Sequence, residues 1–112
     1  MSLTIKSLVQ SQQIPATTTV MYTCPASTIA LVKHAVLTNT SGGALTVNVY
    51  VVPSGGTADA TAKILDTYSI GSHTAYTSPE LCGIVLNTGD TIQMDASSAA
   101  SISLNMDGIL QT

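Results

Sequence analysis

Thr28-Ile29-Ala30-Leu31-Val32-Lys33-His34-Ala35-Val36-Leu37-Thr38 decides the fold, together with Asn39-Thr40-Ser41-Gly42-Gly43 and Leu45-Thr46-Val47-Asn48-Val49-Tyr50-Val51-Val52 after it. Apolar residues recurring at three and four positions build helices, whereas alternation with period two builds strands. In the first segment Ile29, Leu31, Lys33, Ala35 and Leu37 share one side, and Ala30, Val32, His34, Val36 and Thr38 share the other. Both sides are largely apolar, which predicts a central strand with one face in the core and the other partly covered by a neighbouring subunit or loop. Asn, Ser and Gly tolerate positive φ, so residues 39–43 predict a hairpin loop. Leu45, Val47, Val49 and Val51 then return on one face, with Thr46, Asn48, Tyr50 and Val52 opposite.

The same period runs outward in both directions. Leu3 and Ile5 alternate at the start, and a change of phase before Val9 predicts a bulge. Residues 1–14 therefore read as a strand or an arm contacting a neighbour. Val20 to Thr23 predicts a short strand that Pro25 ends. Pro53 to Ala62 is rich in small residues and predicts an exposed, mobile loop, with a strand from Lys63 to Ile70 beyond it. Gly71 to Thr74 reads as a turn, Leu81 to Leu86 as a strand apolar on both faces, and Asn87-Thr88-Gly89-Asp90 as a tight turn. Ile92, Met94 and Ala96 alternate after it, as do Ile102, Leu104 and Met106 near the end. About eight short strands at even spacing predict an all-β chain, a single antiparallel β-sandwich or jelly-roll-like domain over residues 1–112. The expected core is Ile29, Leu31, Leu37, Leu45, Val47, Val49, Ile84, Leu86, Ile92, Leu104 and Met106.

Composition narrows the function. Of 112 residues, 45% are hydrophobic and only 8% charged, against about 25% charged in an average soluble domain. A surface so poor in charge repels its own kind weakly, which points to burial in an assembly. Lys6, Lys33 and Lys63 are the only formal cations and the net charge is −3. Nucleic-acid binding draws on clustered Lys and Arg, and single-strand binding adds stacking aromatics; neither pattern occurs here. No apolar run approaches the roughly 20 residues of a membrane-spanning helix. The opening Met1-Ser2-Leu3-Thr4-Ile5-Lys6 lacks the basic and apolar blocks of a secretory signal, so the expectation is a protein made and used in the cytoplasm.

The search for chemistry returns little. His34 lies within the Thr28–Thr38 strand and His73 in a glycine turn, and neither has a second ligand at a zinc-binding spacing. Asp90 reads as a cap on backbone N–H groups, and Asp95 alternates outward from Ile92 and Met94. No nucleophile elbow or phosphate-cradling glycine loop occurs, so no catalytic residue, metal or cofactor is expected. Cys24 and Cys82 stand in neither a metal nor a redox spacing and read as two buried, unlinked, unreactive thiols. Tyr68 and Tyr76 are the aromatics that a glycan-binding module would use as a stacking platform.

Tyr22-Thr23-Cys24-Pro25-Ala26, the strand ending in Asn39-Thr40-Ser41, the Val/Thr-rich strand from Leu45, and Leu86-Asn87-Thr88-Gly89-Asp90-Thr91-Ile92 together resemble small β-sandwich virion proteins of tailed bacteriophages. That group has a Tyr-x-x-Pro-Ala step, a strand ending in Asn-x-Ser and a late Gly-Asp-x-Ile turn. The resemblance covers most of the chain and implies a non-enzymatic structural role in the virion. Capsid decoration or cement is foremost, with neck, tail, baseplate or fibre, or a carbohydrate- or receptor-binding module, as alternatives. It implies self-association and contact with other virion proteins, the major capsid protein first among them. Apolar surface in excess of what a sandwich core needs should mark the contacts. The candidate interface is Ala30, Val32, His34 and Val36, with Cys82 and Ile84 from the Leu81–Leu86 segment.

Overall fold

The computed structural model describes residues 2–112. In chain order the strands are β1 Leu3–Gln13, β2 Thr19–Thr23, β3 Ile29–Asn39, β4 Leu45–Val52, β5 Lys63–Ile70, β6 Thr74–Thr77, β7 Val85–Leu86, β8 Thr91–Ala96 and β9 Ile102–Gln111. A single turn of 3-10 helix, Ala60–Ala62, precedes β5, and Asp59 caps it by accepting from the Thr61 N–H at 3.0 Å.

Every pairing is antiparallel, and the pairs nest: β1 with β9, β2 with β8, β3 with β6 and β7, β4 with β5. The chain is thus one long two-stranded ribbon doubled back at the β4–β5 connection. Rolling that ribbon adds the pairs β3–β9 and β4–β8. Two sheets result, β1-β9-β3-β6 with β7 also on β3, and β2-β8-β4-β5. This is the jelly-roll form of the expected antiparallel sandwich. Ala30, Val32, Ala35, Leu37, Leu104 and Met106 of one sheet meet Val47, Val49, Ile92 and Met94 of the other, all buried. Each fully buried aliphatic side chain contributes about 1.5–3 kcal/mol relative to exposure.

Three local expectations fail, each for a stated reason. First, residues 39–43 do not make a hairpin, because β3 and β4 lie in different sheets. The Asn39 side chain is fully buried; its Nδ2 donates to the Gly43 and Ile70 carbonyls at 2.9 and 3.0 Å, and its Oδ1 accepts from Ser41 N–H at 2.9 Å. These bonds tie the chain over from one sheet to the next.

Second, β3 changes phase. It pairs Val32 with Gly108 and His34 with Asp107, so Lys33 is an extra residue in a β-bulge. Ala30 and Val32 point inward before it, and Ala35, Leu37 and Asn39 after it. Ile29 and Leu31, expected in the core, therefore face outward: Ile29 is 43% exposed and Leu31 half-buried. Gly108 accommodates this bulge, since a Cβ there would lie 2.1 Å from the Leu31 carbonyl oxygen.

Third, only Val85–Leu86 of the Leu81–Leu86 segment is a strand. Gly83 adopts φ +91° and turns the chain, donating to the Val32 carbonyl at 2.7 Å. Ile84 and Leu45, also expected in the core, are half-buried, while Leu37, Val47, Val49, Leu86, Ile92, Leu104 and Met106 are buried as expected.

Strand β1 is paired along β9 from Leu3 to Gln13, with irregularities between Ser7 and Val9 and between Val9 and Gln12. At the second of these Ser11 takes φ 52°, and Asn105 Oδ1 accepts its N–H at 2.9 Å. In the first half of β1, Thr4 and Lys6 are exposed on one side and Leu3 and Ile5 on the other.

Candidate assembly surface

In an antiparallel sheet directly opposed residues share a face, so the register identifies what stands together. On the outer face of the first sheet, Ile5 opposes Ile109, Ile109 opposes Leu31, and Leu31 opposes Val85. Four aliphatic side chains from four strands thus form one row. Ile5 is 87% and Val85 56% exposed, and none of the described residues covers them. In the adjacent row Gln111 lies between Leu3, 68% exposed, and Ile29. Solvent-facing β-branched and Leu residues in such a cluster are unlike the scattered apolar residues of an ordinary surface.

The bulge sets a charged border on this patch. Asp107 pairs with Ser7 on one side and His34 on the other, and Lys33 lines the same shallow groove as Ile5, Asp107 and Ile109. Lys33, His34 and Asp107 are exposed. Among the described residues the one ion pair is Lys63–Asp66, so Lys33 and Asp107 are neighbours without bonding each other.

The sequence-derived interface residues divide across the sandwich. Ala30 and Val32 are fully buried in the core and lie off the outer face, because the bulge at Lys33 reverses the phase assumed for them. His34, within the charged border, and Val36, beyond it, do face outward. Ile84 is half-buried and Cys82 exposed at the edge of β3, where its thiol donates to the Lys33 carbonyl at 3.2 Å. The expectation of two buried thiols holds for Cys24 alone. Burial pushes the Cys24 thiol above its ordinary pKa, and its S–H lies 3.3 Å from the Thr28 carbonyl oxygen. Both cysteines are free.

Leu3, Ile5, Val85 and Ile109 are not among the candidate interface residues, although the arm reading of residues 1–14 and the doubly apolar Leu81–Leu86 segment span the first three. Their signal is the doublet Lys33-His34: two consecutive polar residues inside an apolar strand mark the phase change, and the register then carries Leu31 and its partners outside.

The remaining polar groups have structural duties. Asp90 Oδ1 accepts from Ser54 N–H at 3.0 Å and Oδ2 from Asn87 N–H at 2.9 Å, which is the backbone-capping role expected of it. Asp95 faces outward and accepts from Asn48 Nδ2 and Thr18 Oγ1, both at 2.8 Å. Tyr68 and Tyr76 meet, ring centroids 4.4 Å apart, where β5 passes β6. The Tyr76 hydroxyl donates to Glu80 at 2.5 Å; desolvation and this bond hold Tyr76 well above the usual tyrosine pKa, and the same bond holds Glu80 low. Among the described residues no three His, Cys, Asp or Glu side chains converge.

No protein-family model matches this chain. No curated protein matches it in sequence. Solved structures match in fold. A chain of infectious bursal disease virus, Gx strain, superposes with a TM-score of 0.59 at 13% identity over 97% of this chain. The VP2 subviral particle of the same virus gives 0.51 at 13% identity. This chain spans 31% of the length of each of those viral chains. A chain of the Bacillus endospore appendages, described as disulfide-linked pili, gives 0.58 at 16% identity, covering 99% of this chain and 88% of its own. At these identities the likeness establishes the fold: a β-sandwich also found in a virus particle and in a pilus.

Proposed function

We propose that this chain is a non-enzymatic structural subunit of a bacteriophage virion, a capsid decoration or cement protein that stabilises the head by repeated protein–protein contacts. The uncovered row Ile5–Ile109–Leu31–Val85 carries this reading. Burying it contributes roughly 25 cal/mol per Å² of apolar area removed from water, so a modest contact repeated at every lattice position becomes large in sum. The low charge of the chain favours the same outcome. The virus particle and the pilus that share its fold are themselves assemblies. The partners under this reading are further copies of the chain and other virion proteins, the major capsid protein first, with assembly in the host cytoplasm.

Quantitative mass spectrometry of purified particles tests it. Copy numbers in the hundreds per particle are expected. A handful per particle moves the protein to the neck, tail, baseplate or fibre, and absence from particles ends the virion reading. A carbohydrate-binding alternative rests on the Tyr68–Tyr76 pair beside Glu80, with Tyr68 37% exposed. Loss of glycan-array signal in Tyr68→Ala is its test.

A further inference from the structure

We propose that the outer face of the β1-β9-β3-β7 sheet seats the same face of a second copy, related by a two-fold axis that runs along the strands between β3 and β9. The inference deepens the assembly reading above, on which it rests for its choice of surface.

The pattern of the face selects the operator. Stacked sheets pack with strands nearly aligned, about 30° apart, and a two-fold contact lays one patch on its own copy. An axis along the strands keeps each cross-strand row opposite itself and reverses the strand order. Ile109 then lies on Leu31 of the second copy, and Ile5 on Val85, so the apolar row covers itself end to end. The bordering row also meets itself reversed. Asp107 on β9 falls opposite the bulged Lys33-His34 doublet on the second copy's β3, and that doublet, with the Lys33 ammonium, opposite the second copy's Asp107. Two ion pairs form that neither chain makes alone.

An axis perpendicular to the strands does the reverse. It sets the charged row of one copy on the Leu3–Gln111–Ile29 row of the other, which buries Lys33 against aliphatic Ile29 and leaves Asp107 on the Gln111 amide with no cation opposite. Burying unpaired charge in apolar surroundings is costly. The bulge that places Lys33 beside Asp107 is therefore what makes the face complementary to itself in one orientation.

Charge reversal tests the exchange. Sedimentation equilibrium of the full chain should give a dimer whose dissociation constant rises with salt. Lys33→Asp should raise that constant at least about tenfold, because two carboxylates then oppose each other twice. Asp107→Lys should do the same with opposed ammonium groups. Both positions are exposed, and an unchanged circular-dichroism spectrum and melting temperature will separate lost contact from lost fold. An equimolar mixture of the two variants should restore a dimer of one chain of each kind, since both contacts then join opposite charges. Wild-type protein that stays monomeric, or single variants that dimerise as tightly as wild type, would falsify the two-fold contact. So would a mixture that associates no better than either variant. Particle composition is an independent readout: a monomer present in virions sinks the two-fold contact and spares the virion reading. A dimer absent from virions supports the contact and sinks that reading.

Discussion

Two cross-strand rows, one on each outer face of the sandwich, occupy equivalent positions and are built in opposite ways. On the second sheet Val20, Gln93, Tyr50 and Lys63 lie in register. There the Gln93 amide donates to Thr91 Oγ1 at 3.1 Å, and Lys63 Nζ stands 5.7 Å from the Tyr50 ring centroid while pairing with Asp66. Beside them Asn48, Asp95, Thr18 and Thr67 form a chain of hydrogen bonds, each at 2.8 Å. That face bonds these polar groups among themselves, with Tyr50 8% exposed in its middle and Val20 48% exposed on its edge strand. The first sheet's row, Ile5, Ile109, Leu31 and Val85, offers only aliphatic surface, with its two bordering charges left apart. One face bonds its polar groups among themselves, and the other leaves aliphatic surface uncovered by the described residues.

The sharpest way to break the contrast is to place the same charge on either side of β3. Val32→Lys puts an ammonium at a fully buried position and should cost about 4 kcal/mol or more, enough to unfold a marginal domain in a denaturant titration. Leu31→Lys, one residue away and outward, should change stability by no more than about 1 kcal/mol while reducing self-association in sedimentation. Equal destabilisation by the two would mean that the bulge is misplaced.

Next in size is Gly108→Ala. Its new Cβ would meet backbone, the Leu31 carbonyl, and backbone cannot rotate aside as a side chain does. A loss of about 3 kcal/mol is expected from thermal unfolding, together with weaker association as β9 and β3 are forced apart under the apolar row.

Asn48→Ala addresses the polar face. It removes the donor to Asp95 and the acceptor for Thr67 N–H at a half-buried site, so about 1 kcal/mol of stability should be lost, with the oligomeric state untouched. Association that changes with Asn48 would show that both faces take part in contacts.

The smallest perturbation is chemical. A thiol reagent at neutral pH should modify exposed Cys82 quickly and leave Cys24 unreacted until the chain unfolds, since burial raises the Cys24 pKa and blocks access. Two thiols reacting at the same rate would contradict this.

How much of this the sequence discloses depends on what the local pattern must encode. Alternation at Leu45–Val52, Thr91–Ala96 and Ile102–Gln111 gives strands and inward faces directly, because those segments keep one phase through most of their length. The Asn87–Asp90 turn and the Asp90 cap are equally local. A phase change is local too, and Lys33-His34 marks it, but its meaning lies in pairing with Gly108 and Asp107, more than seventy residues away by the numbering. Asn39 shows a similar limit. Its neighbours Ser41, Gly42 and Gly43 fit a hairpin, and only the distant Ile70 carbonyl reveals that the amide is buried and the chain crosses between sheets. The exposed apolar row is legible in kind, as surplus apolar residues, but local alternation puts Ala30 and Val32 outside where the bulge places Leu31.

The nested pairing also dictates an order of events. Loop closure costs more entropy as the separation grows, and non-local pairs slow folding. The β4–β5 pair closes a short loop, β3 reaches β6 and β7 over a longer one, and β1 joins β9 only across the whole chain. Zipping from the inside outward therefore sets Ile5 beside Ile109 last. A half-folded chain holds no finished row, so self-recognition waits for the native state, and pulse-labelled hydrogen exchange should find the β1–β9 amides the latest to gain protection.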